Sequence, residues 1–287
     1  MSSALAPSTR RAYNRAWDKY AGFALRVNLS ASLPIPMLYL AWFISDLFIK
    51  GTAGSSITSI ISGLSYFHKI RNISDASQVF TIRQLLISVR KQQPSIDHRH
   101  PISEGLLRKL CDSMPRLATS YFEVCLFRAM FLTAFYFALR VGEITDSVHN
   151  IPLEQIAITP AEVTVCFKSF KHAPHHPGTH TVLASSSPYC LVRALNLYFG
   201  LRGSCPGPLF RLHGKPVSRN LFATTLRCLL QQVGEHHSNF NTHSFRIGAA
   251  TSWANKGLSD IQIKRMGRWR SDAVIRYIRG NIIHTQM

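Results

Sequence analysis

Residues Tyr121 to Leu139 (YFEVCLFRAMFLTAFYFAL) are apolar on nearly every side of a helix. A helix with no polar face has to be wrapped by the rest of its domain, so this stretch reads as a central buried helix. Glu123 and Arg128 interrupt it as a membrane span, and the other apolar stretch, Met37 to Ile49, is short and holds Asp46. Buried helices are expected, with no membrane partner. The N-terminus, MSSALAPSTRRAY, lacks the apolar centre of a secretory signal.

The segments before this helix predict a small all-α bundle. Ser8 to Val27 sets Tyr13, Trp17, Tyr20 and Phe23 roughly on one face. Arg11, Arg15 and Lys19 form a basic stripe on another, with Arg10 nearer the aromatic side. Pro34 and Pro36 precede a helix over Met37 to Ile49; further helices fit Ser55 to Lys69 and Thr81 to Lys91. The polar stretch Gln92 to Pro101 (QQPSIDHRHP) then separates two apolar regions and reads as a linker.

Beyond it, Ser103 can cap a helix over Leu106 to Met114. Glu162 to Phe167 and Thr179 to Leu183 alternate with period two around a loop holding Pro174, Pro177 and Gly178, which predicts an antiparallel hairpin. Helices fit Pro188 to Leu201 and Ser218 to Val233. The fold class expected is mainly α with a small antiparallel β-sheet.

The chain has 33 Lys plus Arg against 14 Asp plus Glu, a net charge of +19 and a pI near 10.2, so its natural partner is a polyanion. Residues 1–100 carry 12 basic and 4 acidic side chains, and residues 101–287 carry 21 and 10. Both halves should therefore touch that partner, and a helical scaffold for protein partners makes poor sense of the charge. Cys111, Cys125, Cys166, Cys190, Cys205 and Cys228 are scattered without a CxxC spacing, which favours reduced thiols in an intracellular protein over a disulfide framework or zinc site. His172, His175, His176 and His180 make the hairpin loop His-rich, but no carboxylate or cysteine joins them at ligand spacing, and no metal is expected.

Chemistry concentrates in Asn241 to Arg279 (NTHSFRIGAATSWANKGLSDIQIKRMGRWRSDAVIRYIR). Thr242 or Asn241 can cap a helix whose first turn holds His243 and Arg246, three apart and so on one face, with Gly257 past its end. A first turn with unpaired N–H groups favours a phosphate. A second helix fits Ser259 to Met266, closed by Gly267, and a third starts at Ser271 and Asp272 and carries Tyr277 between Arg276 and Arg279. Upstream, Arg140 ends the apolar helix one turn before Glu143, and a guanidinium beside so much core must find an anion or a ring of acceptors.

The order Arg140, His243-x-x-Arg246, Gly267-Arg268-Trp269, Tyr277 resembles the tyrosine recombinases, or integrase family; HSFRIGAAT and GRWRSDAVIRYIR look most like the recombinases of eukaryotic DIRS-like and Crypton mobile elements. The resemblance implies an N-terminal helical core-binding (SAM-like) domain over 1–95, a linker over 96–102 and an α+β catalytic domain over 103–287, the two domains clamping duplex DNA. It implies Arg140, Lys171, His243, Arg246, Trp269 and Tyr277 as the catalytic set. Lys171 is the weakest match, since the usual Ser-Lys-Thr is replaced by Ser169, Phe170, Lys171, and Lys168 competes for its role. Trp269 stands where many members have a second histidine; an indole donates one N–H and cannot shuttle protons.

In that scheme Tyr277 attacks the phosphorus, Arg140 and Arg246 hold the non-bridging oxygens, Lys171 protonates the leaving oxygen, and His243 exchanges the tyrosine proton or bonds the phosphate. The product is a 3′-phosphotyrosine with a free 5′-hydroxyl, which retains the energy of the broken bond, so no cofactor is required. Double-stranded DNA is the expected partner, with a homo-tetramer on paired sites and, for a eukaryotic element, a nuclear location. Expected DNA contacts are Arg10, Arg11, Arg15, Lys19, Arg268 and Arg270. The alternative is a domesticated or decayed relative that binds DNA without cutting it.

Overall fold

The computed structural model describes residues 5–93, 97–168, 178–269, 274 and 277–279. It forms two compact units, Met1–Asp97 and His98–Met287. Residues 98–102, expected in the linker, belong to the second unit: the His100 N–H donates to the Asn239 carbonyl, the Ile102 N–H to that of Ser244, and Ile102 is buried.

The first unit packs helices α1 (Pro7–Arg26), α2 (Met37–Ile49), α3 (Gly54–Lys69) and α4 (Phe80–Gln92). Its core joins Tyr20, Phe23, Phe43, Ile44, Ile57, Leu64, Ile82 and Val89. Small residues set the spacing: a Cβ on Gly63 would lie 2.9 Å from that of Ala16 on α1, and one on Gly54 would lie 2.9 Å from the Arg90 backbone. His68 is a core residue with both ring nitrogens engaged, one accepting from the Ile35 N–H at 2.9 Å and the other 2.9 Å from the Leu64 carbonyl. Arg10, Arg11, Arg15 and Lys19 are all exposed along α1.

The second unit begins with α5 (Glu104–Ser113), capped by Ser103, whose hydroxyl accepts from the Leu106 N–H. Helix α6 (Tyr121–Tyr136) is the buried centre; Phe131 packs edge-on to Phe222 and Phe245, and each such ring contributes about 1.5–3 kcal/mol by burial. It stops three residues short of the expected end. Ala138 takes a left-handed φ of +45°, the Ala138 N–H returns to Phe135 and the Leu139 N–H to Ala134, a Schellman ending with alanine where glycine is usual. Arg140 therefore stands outside α6, at the start of the short turn α7 (Val141–Ile144).

Strands β1 (Ile156–Ile158), β2 (Glu162–Phe167) and β3 (Gly178–Leu183) form an antiparallel sheet in that order, with Val163 opposite Val182 and Val165 opposite His180. Alternation turns Val163, Val165 and Phe167 into the core. There follow α8 (Leu191–Arg202), the hairpin β4 (Arg211–Leu212) and β5 (Lys215–Pro216), α9 (Arg219–Gln232), α10 (Ser244–Asn255) and α11 (Asp260–Met266). Gly248 fixes how α10 is crossed, because a Cβ there would collide with the Ile102 carbonyl oxygen. Among the described residues no helix is long and apolar enough to cross a membrane, and no group of His, Cys, Asp and Glu is arranged to hold a metal ion.

Candidate active site

Arg246 organises the site. It lies in the first turn of α10 with no exposure, the largest fully buried side chain among the described residues. Its two terminal nitrogens donate to the carbonyls of Ala138 and Gly267. Ala138 ends α6 and Gly267 ends α11, so the guanidinium joins the negative ends of two helices, where carbonyls have no partner within their own helix. The ring of Trp269 covers its face at 4.1 Å to the centroid.

A second buried arginine shows what a purely structural one looks like. Arg202 gives its Nε and both terminal nitrogens to the carbonyls of Leu209, Gly203, Cys205 and Pro208 at 2.7–3.0 Å. Arg246 is not saturated in this way: among the described residues its buried Nε meets no acceptor, and neither does Nη1 of Arg140 or Nε1 of Trp269. Unmet buried donors are costly. Burial, then repulsion from Arg140 and Arg268, brings the Arg246 pKa down to about 9, which leaves it charged at neutral pH.

Glu143, 4% exposed, is the counter-charge. Its carboxylate accepts from Nη1 and Nη2 of Arg268 at 2.9 and 3.1 Å and from the Arg140 backbone N–H at 2.7 Å, while Nη1 of Arg140 stays 3.7 Å away. Burial penalises the Glu143 charge, but Arg268, and after it Arg140, keep the pKa below its ordinary value. Arg140 is half-buried, and its own pKa is lowered by burial first, against the pull of Glu143. Arg140, Arg246 and Arg268 thus share one carboxylate. The excess positive charge and the unmet donors suit an anion with several oxygens.

Tyr277 completes the cluster. Its ring centroid is 5.0 Å from that of His243 and 5.4 Å from that of Trp269. It sits in a turn held by Thr251, whose hydroxyl donates to the Tyr277 carbonyl at 3.2 Å and accepts from the Arg279 N–H at 3.1 Å. The expected third helix falls mainly on residues 270–273, 275 and 276, which lie outside the described residues; of its described residues, Val274 is in a 3₁₀ turn and Tyr277 is a turn residue with its N–H bonded to the Val274 carbonyl. His243 is the N-cap residue of α10 and lies outside its first turn; its N–H donates to Oδ1 of Asn241 at 2.8 Å, and no side chain caps the helix.

The structure therefore brings Arg140, His243, Arg246, Trp269 and Tyr277 together. Lys171 and Arg270 lie outside the described residues, as do His172, His175 and His176; Lys168, the competitor of Lys171, is exposed just after β2. Arg268 is corrected. It was expected to contact DNA, but its side chain is 8% exposed, paired with Glu143 and laid over the Phe167 ring at 3.7 Å. Gly267 closes α11 as expected, but with an ordinary φ of −84°, and it is Arg268 that takes the left-handed turn at +57°. Gly267 is small for another reason: a Cβ there would run into the Trp269 ring. His180, assigned to the His-rich loop, lies in β3 between Phe137 and Trp253, and burial, with Arg268 second, lowers its pKa to about 4.

The fold resembles three solved DNA complexes. XerH site-specific recombinase bound to palindromic difH substrate in a post-cleavage complex gives a TM-score of 0.68 at 14% identity, over 93% of this chain and 74% of that one. A lambda integrase dimer bound to a COC′ core site gives 0.66 at 14% identity, over 98% and 76%. The chain has the tyrosine recombinase fold. The Tn1549 transposon integrase in complex with transposon right end DNA gives 0.58 at 12% identity, over 93% and 95%. At such identities the likeness to the tyrosine recombinases is one of fold. No family model and no curated protein matches the chain.

Proposed function

We propose that this protein is a site-specific DNA recombinase that breaks and rejoins strands through a covalent 3′-phosphotyrosine at Tyr277. The observation that carries the reading is the placing of the Tyr277 ring between His243 and Trp269, beside arginines whose buried donors have no acceptor among the described residues. The tyrosine recombinase fold and the DNA-bound state of its structural neighbours support it.

The Tyr277 oxygen attacks the phosphorus, its proton passing to His243 or to solvent. Arg140, Arg246 and the Trp269 N–H receive the non-bridging oxygens, where charge develops in the transition state. The P–O5′ bond breaks, and the leaving oxygen takes a proton from Lys171, or from Lys168 if that lysine holds the role. An incoming 5′-hydroxyl reverses the sequence on another strand. Two duplexes present four strands to be cut, so one tyrosine per strand calls for a tetramer on paired sites. The wording HSFRIGAAT and GRWRSDAVIRYIR supports an origin in a eukaryotic DIRS-like or Crypton element, with the reaction in the nucleus.

A nicked duplex from the ends of the parent element tests this. The expected products are protein joined to the 3′ end and a 5′-hydroxyl that polynucleotide kinase can label; a new 5′-phosphate end would mean cutting without a 3′-phosphotyrosine, and tight binding without any adduct favours a DNA-binding protein instead. A 5′-bridging phosphorothiolate substrate, whose leaving sulfur needs no proton, should restore cleavage to whichever of Lys171→Ala and Lys168→Ala has lost it.

A further inference from the structure

The geometry points to Arg268 as a positioning residue that occupies Glu143 and so leaves the Arg140 guanidinium available to a phosphate. The inference deepens the recombinase reading and rests on it for the identity of the anion as a DNA phosphodiester.

Glu143 and Arg140 are three apart at a tight turn, the natural spacing for a close ion pair. They make only a long one, without a side-chain hydrogen bond. Both Glu143 oxygens are taken by the planar fork of Arg268, at 2.9 and 3.1 Å, and Arg140 keeps only a backbone bond to the carboxylate, with Nη1 at 3.7 Å and no hydrogen-bond acceptor among the described residues. A bidentate pair of this kind outcompetes a single contact.

Arg268 is itself fixed from two sides. Its guanidinium lies on the Phe167 ring of β2, and its backbone makes the left-handed turn that ends α11. The neighbours in that turn serve the same cluster: the Gly267 carbonyl holds Arg246, and the Trp269 ring covers Arg246 and contacts Tyr277. One three-residue turn thus sets both arginines, directly for Arg246 and through Glu143 for Arg140.

The test compares wild type, Arg268→Met, Arg268→Lys, Glu143→Gln and the double variant Arg268→Met with Glu143→Gln, reading inorganic phosphate affinity by calorimetry and, in parallel, the rate of covalent DNA adduct formation. Without Arg268, Glu143 should draw Arg140 into a close pair, weakening phosphate binding at least about tenfold, the scale of one lost charge-assisted hydrogen bond. Lysine keeps the charge but not the fork and should recover only part. In the double variant the neutral amide can still accept from the Arg140 N–H but no longer captures its guanidinium, so affinity should return to within about threefold, a non-additivity that only coupling through Glu143 produces. Additive losses, or a wild-type protein that binds no phosphate, would overturn the inference. Phosphate effects as described without any DNA adduct from wild type would leave it standing and sink the recombinase reading instead.

Discussion

At the scale of single residues the site is a matter of where buried charge finds partners. Arg246 is bonded to two helix-end carbonyls and covered by Trp269, so Arg246→Lys, which keeps the charge but cannot span both carbonyls, should lower the cleavage rate by about 10²-fold or more, as loss of an oxyanion donor does. Circular dichroism should show the helices retained. His180 gives a pH prediction. Its pKa is lowered to about 4 in the fold, from about 6.5 unfolded, so the unfolded chain binds the extra proton as the pH falls. Its contribution is complete above pH 6.5 and is lost between 6.5 and 4; His180→Phe should flatten the decline in melting temperature between about pH 6.5 and 5, above the range where Glu143 titrates. Much of this scale was legible in the sequence: Arg140, His243, Arg246, Trp269 and Tyr277 converge as their order implied. The role of Arg268 was not legible, because its partner Glu143 lies 125 positions away and nothing local distinguishes a buried basic residue from an exposed one.

At the scale of elements, periodicity located most helices because their apolar faces repeat. Met37–Ile49 matches its expected bounds and Ser103 caps its helix as expected, while Ser218 and Ser259, expected as first helical residues, are the caps one place outside. The misjudged end of α6 has a physical cause: Ala138 takes the left-handed region, and a sequence offers no sign of that when glycine is absent. Helix α11 ends at Met266 as expected, although there too the left-handed residue is not glycine but Arg268. Strand β1 went unrecognised because Ile156 to Ile158 is too short to show alternation. The α6 ending predicts that Ala138→Gly relieves the left-handed strain and raises stability by about 0.5–1 kcal/mol, measured by urea unfolding.

At the scale of the whole molecule, two compact units and a charge of +19 frame the function. The exposed stripe Arg11, Arg15 and Lys19 on α1 was legible because exposure follows from its four-residue spacing opposite the aromatic face. If it tracks phosphates, replacing all three by glutamine should reduce the slope of log affinity against log salt by about three, with little dependence on DNA sequence. The central claim is that the chain cuts DNA with Tyr277. It is tested most directly by trapping the protein on a nicked duplex from the parent element, digesting the adduct and mapping the modified peptide by mass spectrometry, with wild type beside Tyr277→Phe. The account predicts a nucleotide joined to Tyr277 in the wild type and none in the variant, with DNA binding unchanged. An adduct at another residue, or one that persists in Tyr277→Phe, would contradict it.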